Sequence, residues 1–414
     1  MSSIIVLLLI LIIGFISTNL IFHRLHTNIY APSGIEYIFL GIIIGPAFSD
    51  FINKSFNTQI PHLINSEMLN QLSPGISAAI GIIGFIYGLR FKFSSIQKAI
   101  PEHIRLAFFE LITGFVLLGG AAFGIFYYFF FDGTNIFEII AASYAAGIMG
   151  SLSSNYVIDS LIKKYNITGS FAKSIHQASL LNLNISILLY GLLFGIIHIG
   201  AEKGIFITPT EWVVISVMLA LTIGFLFFIF VGREEDENKL FVAVLGITIF
   251  TSGAAYYINF SPLCMNLILG IILGNFSKVT SKIENALGRL LHPLSMLVVV
   301  MTGYFWMPAS FGVSAAAIII FIILRYFSKY AGGYIAYKSA YNKSMFDQNI
   351  GKGLLPIDII VCAMVVDYIL VYQNQFTPIV VTAVLTAAIF FNLFSYSSTK
   401  NYLIDSGEIT GENL

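Results

Sequence analysis

The chain is a succession of apolar runs, each about as long as a bilayer core is thick, joined by short polar segments. A hydrocarbon core of ~30 Å calls for about 20 apolar residues per helix, fewer where a segment is broken or covered by its neighbours. On that criterion there are thirteen spans, at roughly 4–20, 34–48, 74–89, 106–131, 136–161, 174–199, 211–232, 240–259, 262–276, 292–307, 310–337, 353–372 and 377–395. Composition agrees: 57% of the 414 residues are hydrophobic and 10% are charged, against about a quarter charged in soluble domains. The expectation is an all-α polytopic membrane protein. The net charge of zero gives no pointer to nucleic acid. The opening MSSIIVLLLILIIGFISTNL has no basic residue ahead of its apolar core, so it is read as a retained first span rather than a signal peptide.

Lysine and arginine favour cytoplasmic loops. Seventeen of the 21 fall in loops that follow odd-numbered spans, against Lys54 and Lys203 on the other side; Arg325 and Lys329 lie inside span 11. This asymmetry and the odd count place the N-terminus outside and the C-terminus in the cytoplasm.

Span 2 contains FLGIIIGP (39–46) and span 9 contains ILGIILGN (268–275), which share glycine spacing and run in opposite directions across the membrane. The simplest account is two inverted six-helix repeats with crossed discontinuous helices, a signature of secondary transporters. The expected divisions are a first membrane repeat over 1–200 (spans 1–6) and a linking span 7 with a charged cytoplasmic joint, REEDENK, over 201–239. A second repeat (spans 8–13) follows over 240–397, and a short cytoplasmic tail over 398–414. No HExxH, GxSxG or clustered metal-ligand motif points to an enzyme. Cys264 and Cys362 sit in apolar runs and are read as buried thiols.

Polar groups at membrane depth are costly and mark function by default. GSLSSN (150–155) is a place for span 5 to unwind, offering Ser153, Ser154 and Asn155, and Pro356 breaks span 12 where the repeat requires a partner. In HQASLLNLNISILLYG (176–191), Ser179, Asn182 and Ser186 share one helical face, while Asn184 lies ~160° from Asn182. The stripe favours Asn182 facing a cavity. His176, near the cytoplasmic start, could sense pH. Arg325 and Lys329 share a face of span 11. Asp358 follows Pro356, and Asp367, nearer the outer end, could line an outward path. Asp159 is expected to pair with Lys163 four residues on. Glu110 and Glu138 are read as interfacial.

In order along the chain, GIIIGPAF, FIYGLRFKFSSIQK (85–98), SLSSNYVIDSLIKKY (151–165), GIILGNF, SKYAGGYIAYK (328–338) and GKGLLPIDII (351–360) resemble the monovalent cation:proton antiporter superfamily. The likeness is nearest to sodium/hydrogen exchangers and Kef-type transporters. It implies a homodimer in the bacterial inner membrane, without cofactor, that exchanges a monovalent cation (Na⁺ or K⁺) for protons. It would move a core of spans 3–5 and 10–12, with span 6 alongside, against a scaffold. The family's working aspartate falls at Asn184 here, and an amide can offer an oxygen to a cation but cannot release a proton. Lys329 stands at the family's eleventh-span lysine, which pairs with that acid in some members. Without such a partner it becomes a candidate proton-exchanging group, with Arg325 as a permanent compensating charge. Ion-binding candidates are therefore Asn184, Asn182, Ser153, Ser154, Asn155 and Asp358, with Asp367, Ser179 and His176 as a possible pathway. Two alternatives stay open. One is a Na⁺-coupled organic anion symporter using Arg325 or Lys329 to hold the anion; the other is a non-transporting sensor that lost the ion site.

Overall fold

The computed structural model describes residues 34–57, 64, 66–94, 100–130, 134–197, 208–231, 234 and 236–409, together with positions 12 and 16. Apart from positions 12 and 16, the expected first span lies outside the described residues, as do the basic residues Arg24, Lys98, Lys203 and Arg233.

In lipid every backbone polar group must be satisfied within its own segment or closely packed protein, and the described residues form helices and no strand. Expected span 2 is α1 (Ile35–Ile44) and α2 (Pro46–Phe56), span 3 is α3 (Ser66–Arg90), and span 4 is α4 (Pro101–Gly114), a π-helical turn (Phe115–Gly119) and α5 (Gly120–Phe130). Span 5 is α6 (Ile136–Ser151) and α7 (Tyr156–Tyr165); spans 6 to 9 are α8 (Ser170–Ile197), α9 (Pro209–Val231), α10 (Glu237–Tyr257) and α11 (Pro262–Phe276). Spans 10 and 11 are α12 (Thr280–Tyr304) and α13 (Phe311–Ser339). Span 12 is a 3-10 helix (Ile350–Leu354) followed by α14 (Ile360–Val371), and span 13 is α15 (Thr377–Asp405). Among the described residues nine helical stretches are long and apolar enough to cross a membrane, α1 and α2 form a pair bent by 54°, and α11 and α14 are shorter apolar helices. This is an integral membrane protein.

The helices sort into two bundles. In one, α3 packs against α10, α11 and α12, with α1 on α12 and α9 on α11; in the other, α13 packs against α4 and α15, and α8 against α4 and α6. This corrects the expected core. Spans 3 and 10 belong with spans 2 and 7–9, while span 13 joins spans 4–6, 11 and 12. The reason is close backbone approach. A Cβ on Gly41 of α1 would strike the α12 backbone at Val300, Gly303 and Tyr304, and one on Gly270 of α11 would strike the α3 backbone at Phe85, Gly88 and Leu89. These two crossings commit α3 and α12 to the first bundle. They also show the same pattern at the two glycines that match in the repeated motif.

The ends are tied down as well. Beyond α3, Lys92 Nζ donates to the Gly274 carbonyl, the Phe93 amide donates to Asn275 Oδ1 at 2.7 Å, and Asn275 Nδ2 donates to the Phe91 carbonyl at 2.8 Å. Burial lowers the pKa of the Lys92 ammonium. In the tail, the Glu408 carboxylate accepts from the amides of Phe171 and Ala172 at 2.8 and 3.0 Å, a negative charge at the positive end of α8.

The α3–α11 crossing leaves no room for a side chain. Gly88→Val, which would drive a Cβ into the Leu267 carbonyl, is expected to destabilise the protein by about 3 kcal/mol or more, read as a lowered unfolding temperature in detergent. Gly246→Ala, with open space around it, serves as the control and should leave that temperature unchanged. Equal behaviour of the two variants would refute the close-packed seam.

Candidate functional site

Two helix breaks meet inside the second bundle. α6 ends at Ser151 because Leu152 turns extended (φ −66, ψ 137), and α7 starts at Tyr156. The 3-10 helix ends at Leu354 and α14 begins at Ile360, with Pro356 between them. The Ser154 amide donates to the Pro356 carbonyl at 3.0 Å, joining the two unwound stretches. Each break leaves carbonyls without intrahelical partners, and the cations of α13 fill that need. Arg325 donates to the carbonyls of Gly150, Leu152 (2.8 Å) and Leu355 (3.1 Å). Lys329 Nζ donates to the Ser151 carbonyl at 2.5 Å, to Ser153 Oγ at 2.7 Å and to Glu110 Oε1 at 2.5 Å. That uses all three protons of the ammonium.

Two expectations are corrected here. Glu110 is not interfacial: it is fully buried, as are Lys329 and Arg325. Lys329 is not left without a partner, since Glu110 supplies one. The physical reason lies at Gly332, where a Cβ would meet the Glu110 backbone. α4 and α13 touch there, and the carboxylate is carried inward to the lysine one turn away. The missed signal was a lone acid in the apolar run FFELITGF, which could have been set against the Lys-x-x-Gly face of span 11.

On the other side of the breaks lies a cavity of about 450 Å³, whose lining includes Tyr87, Ser154, Asn155, Asp159, Asn184 and Asp358 and which reaches Arg90 and His292. Arg325 and Lys329 do not line it. Asp358 Oδ2 accepts from Ser154 Oγ at 2.9 Å, and Oδ1 accepts from the Tyr87 hydroxyl at 3.1 Å and the Ile360 amide at 3.0 Å. Tyr87 belongs to α3, in the first bundle, so the carboxylate sits on the seam between bundles. Asn184 donates from Nδ2 to the Leu180 carbonyl of its own helix at 2.9 Å, while its buried Oδ1 accepts no hydrogen bond from the described residues.

The polar stripe of span 6 points elsewhere than expected. Asn182 Oδ1 accepts from the Ser153 amide at 3.1 Å, its Nδ2 lies 3.3 Å from the Ser151 carbonyl, and Ser186 Oγ lies 3.4 Å from Oδ1. Asn182 therefore fastens α8 to the break and does not line the cavity. Ser153 is likewise committed, with Oγ against Glu110 and 2.8 Å from the Leu354 carbonyl. Ser179 is buried and does not line the cavity. Asp159 pairs with His176 (Oδ1 to Nδ1, 2.5 Å) and accepts from Asn155 Nδ2 at 3.0 Å, in place of the expected Lys163. The tight turn between α7 and α8 brings Asp159 and His176 face to face. Asp367 does not line the cavity; it is fully buried and accepts from Ser261 Oγ at 2.5 Å. Sequence reasoning passed over Tyr87 and Ser261, whose roles depend on pairings across the chain.

Chemically, the cavity offers oxygen donors: a carboxylate, a serine hydroxyl and an unused amide carbonyl. Hard cations take such ligands. No group of three or more His, Cys, Asp or Glu side chains among the described residues could hold a transition metal.

No protein family and no curated protein sequence matches the chain. Solved structures do. The sodium proton antiporter MjNhaP1 from Methanocaldococcus jannaschii, in a structure at pH 8, aligns with a TM-score of 0.64 at 12% identity, covering 98% of this chain and 97% of that one. An electron-microscopy structure of the same antiporter aligns with a TM-score of 0.55 at 12% identity, covering 97% and 96%. Over nearly its whole length, this chain has the fold of the MjNhaP1 sodium proton antiporter.

Proposed function

We propose that this protein is a secondary transporter that exchanges a monovalent cation, Na⁺ or K⁺, for protons by alternating access, with Asp358 as the group on which cation and proton compete. The observation that carries the reading is the pairing of Asp358 and Asn184 on one cavity. The family resemblance puts the working acid at 184, where an amide stands. The carboxylate comes instead from span 12 and reaches the same space. Its partners are hydroxyls and an amide, whereas Glu110 is committed to Lys329 and Asp159 to His176. Asn184 Oδ1 and Ser154 Oγ would complete the oxygen cage. A proton arriving on Asp358 removes the charge that holds the cation, so the two ligands exclude each other.

The wider architecture belongs to the same reading: thirteen crossings in two inverted six-helix repeats, N-terminus outside, C-terminus in the cytoplasm, as a homodimer in a bacterial inner membrane. Equivalent Gly41–Gly303 and Gly270–Gly88 crossings support the repeat, and the placement of seventeen of 21 basic residues supports the orientation. The movement would run along the seam that Tyr87 and Asp358 bridge. An organic anion symporter is less well supported, since Arg325 and Lys329 spend their donors on backbone carbonyls and Glu110.

The test is proton flux in proteoliposomes: a pH gradient is imposed, Na⁺, K⁺ or Li⁺ is added, and an internal dye is followed. The native protein should collapse the gradient with one of these cations, and Asp358→Asn should fall to the level of empty vesicles. Adding Asn184→Asp to that variant should restore part of the flux, because the second carboxylate enters the same cavity. Wild-type flux in Asp358→Asn would sink the assignment.

The Glu110–Lys329 pair should behave as a structural element. Glu110→Gln or Lys329→Met alone is expected to cost about 3–5 kcal/mol by leaving a buried charge unpaired, and the double variant less than the sum. Unfolding temperatures of the three proteins in detergent decide this; additive losses would argue against a coupled pair.

A further inference from the structure

Span 12 carries two carboxylates at different depths of the seam between the bundles. Asp358 precedes it, bridged to α3 by the Tyr87 hydroxyl. Asp367 lies seven residues beyond Ile360, about 10 Å along a helix that rises ~1.5 Å per residue. It is bridged to the start of α11 by Ser261 at 2.5 Å. Midway, Thr302 Oγ1 of α12 donates to the Cys362 carbonyl at 3.2 Å. The three bonds cross the same seam. The cavity reaches Asp358 and Cys362 and stops short of Asp367, so the Asp367 end is the closed one.

That end has the chemistry of a fastening. Ser261 caps α11: its Oγ accepts from the Cys264 amide at 3.0 Å while donating its own proton to Asp367 Oδ2. A short hydrogen-bond chain thus runs from the positive end of α11 into the carboxylate, and the Leu263 amide of the same turn adds its partial positive charge. Asp367 is fully buried and has no cationic partner among the described residues. The titratable side chains that face it are Tyr190 from α8 and Cys264 from α11. Tyr190 is spent on the Met364 carbonyl at 2.7 Å. Burying a carboxylate on so few partners is costly, and an apolar residue would pack the seam at less expense.

We propose that Asp367 and Ser261 form a latch that fastens the seam at the end opposite the cavity, so that opening there requires this hydrogen bond to break. The proposal rests on the alternating-access reading. It assigns Asp367, the second carboxylate of span 12, to gating, while Asp358 binds the transported ions. The latch joins one bundle to the other, so it is made in the state seen here and lost when α14 slides past α11.

The native cysteines report on the two ends. Cys264 sits in the latch turn, packed on Gly191, and Cys362 lines the cavity. The experiment follows reaction of the full chain in detergent with a charged maleimide, using Cys362→Ala to watch Cys264 alone and Cys264→Ala to watch Cys362 alone. Cys264 should react slowly in the otherwise native protein and about tenfold faster or more with Ser261→Ala or Asp367→Ala, as expected on losing a hydrogen bond to a charged group. Asp367→Asn, which keeps an acceptor for the Ser261 hydroxyl, should stay close to the native rate. Cys362 should react at an unchanged rate throughout. Unchanged Cys264 reactivity in both alanine variants overturns the latch, as does equal acceleration at both thiols, which would mean general loosening. If the native protein shows no cation-driven proton flux and Cys264 responds as described, the transport reading falls and the latch stands.

Discussion

The structure depends on how two broken helices are allowed to cross inside a membrane. A break exposes carbonyls that lipid cannot satisfy, each at a cost of several kcal/mol. In this protein the answer is supplied by one helix. Arg325 and Lys329, a turn apart on α13, place a guanidinium and an ammonium against the carbonyls of Gly150, Ser151, Leu152 and Leu355. Those carbonyls lie around the C-terminal end of α6 and the unwound stretch before α14, where a positive charge also meets the helix dipole favourably. Without the two cations, the breaks would be joined directly by the Ser154 amide on the Pro356 carbonyl and by the Ser153 and Ser154 hydroxyls on the Leu354 carbonyl and Asp358, which leaves the carbonyls of Gly150 and Leu355 without the donors that Arg325 supplies.

Two buried cations call for compensation, and this constrains where acids can stand. Glu110 takes Lys329 directly. Asp358 lies just past the crossing, bonded to Ser154 of the opposite break. The crossing is thus a small charge assembly with two cations and two carboxylates, only one of which faces open space. An acid on span 6 at 184 and an acid on span 12 at 358 are alternatives in such an assembly, because both positions open onto one cavity. Moving the carboxylate from one wall to the other leaves the overall charge unchanged. An amide at 184 then adds an oxygen to the cavity wall without adding a charge.

The helices were legible because their cause is local. Each is a run of apolar residues, and the described ones fall on twelve of the thirteen expected segments; of the first, only positions 12 and 16 are described. The breaks were legible too, since Pro356 and the small polar run around Ser153 interrupt those runs. What was hidden depends on contacts far apart in the chain. Glu110 meets Lys329 across 219 positions, and Tyr87 meets Asp358 across 271. Asn182 was misread for a different reason. Its face of α8 is polar because it bonds to unwound backbone at Ser151 and Ser153, and a helical wheel cannot tell backbone from a cavity. The i,i+4 rule failed at Asp159 because a neighbouring helix offered His176 at closer range.

The division into bundles shows why the site sits where it does. Glycine crossings such as Gly41 on Gly303 bring backbones into contact, and contacts of that kind give little freedom to slide. The seam between bundles is different: span 12 is held across it by the side-chain hydroxyls of Tyr87, Thr302 and Ser261, which donate to Asp358, the Cys362 carbonyl and Asp367. Such bonds are each worth about 0.5–3 kcal/mol net and can be broken one at a time. The rigid contacts thus lie within the bundles and the exchangeable ones between them. Asp358 lies at the boundary of the two regimes. One oxygen is held by a serine of its own bundle and the other by a tyrosine of the opposite one, so a ligand that competes for the carboxylate also competes with a contact that spans the seam. On the exchange reading proposed above, occupancy of the site and the relation between the bundles would be coupled by that single side chain.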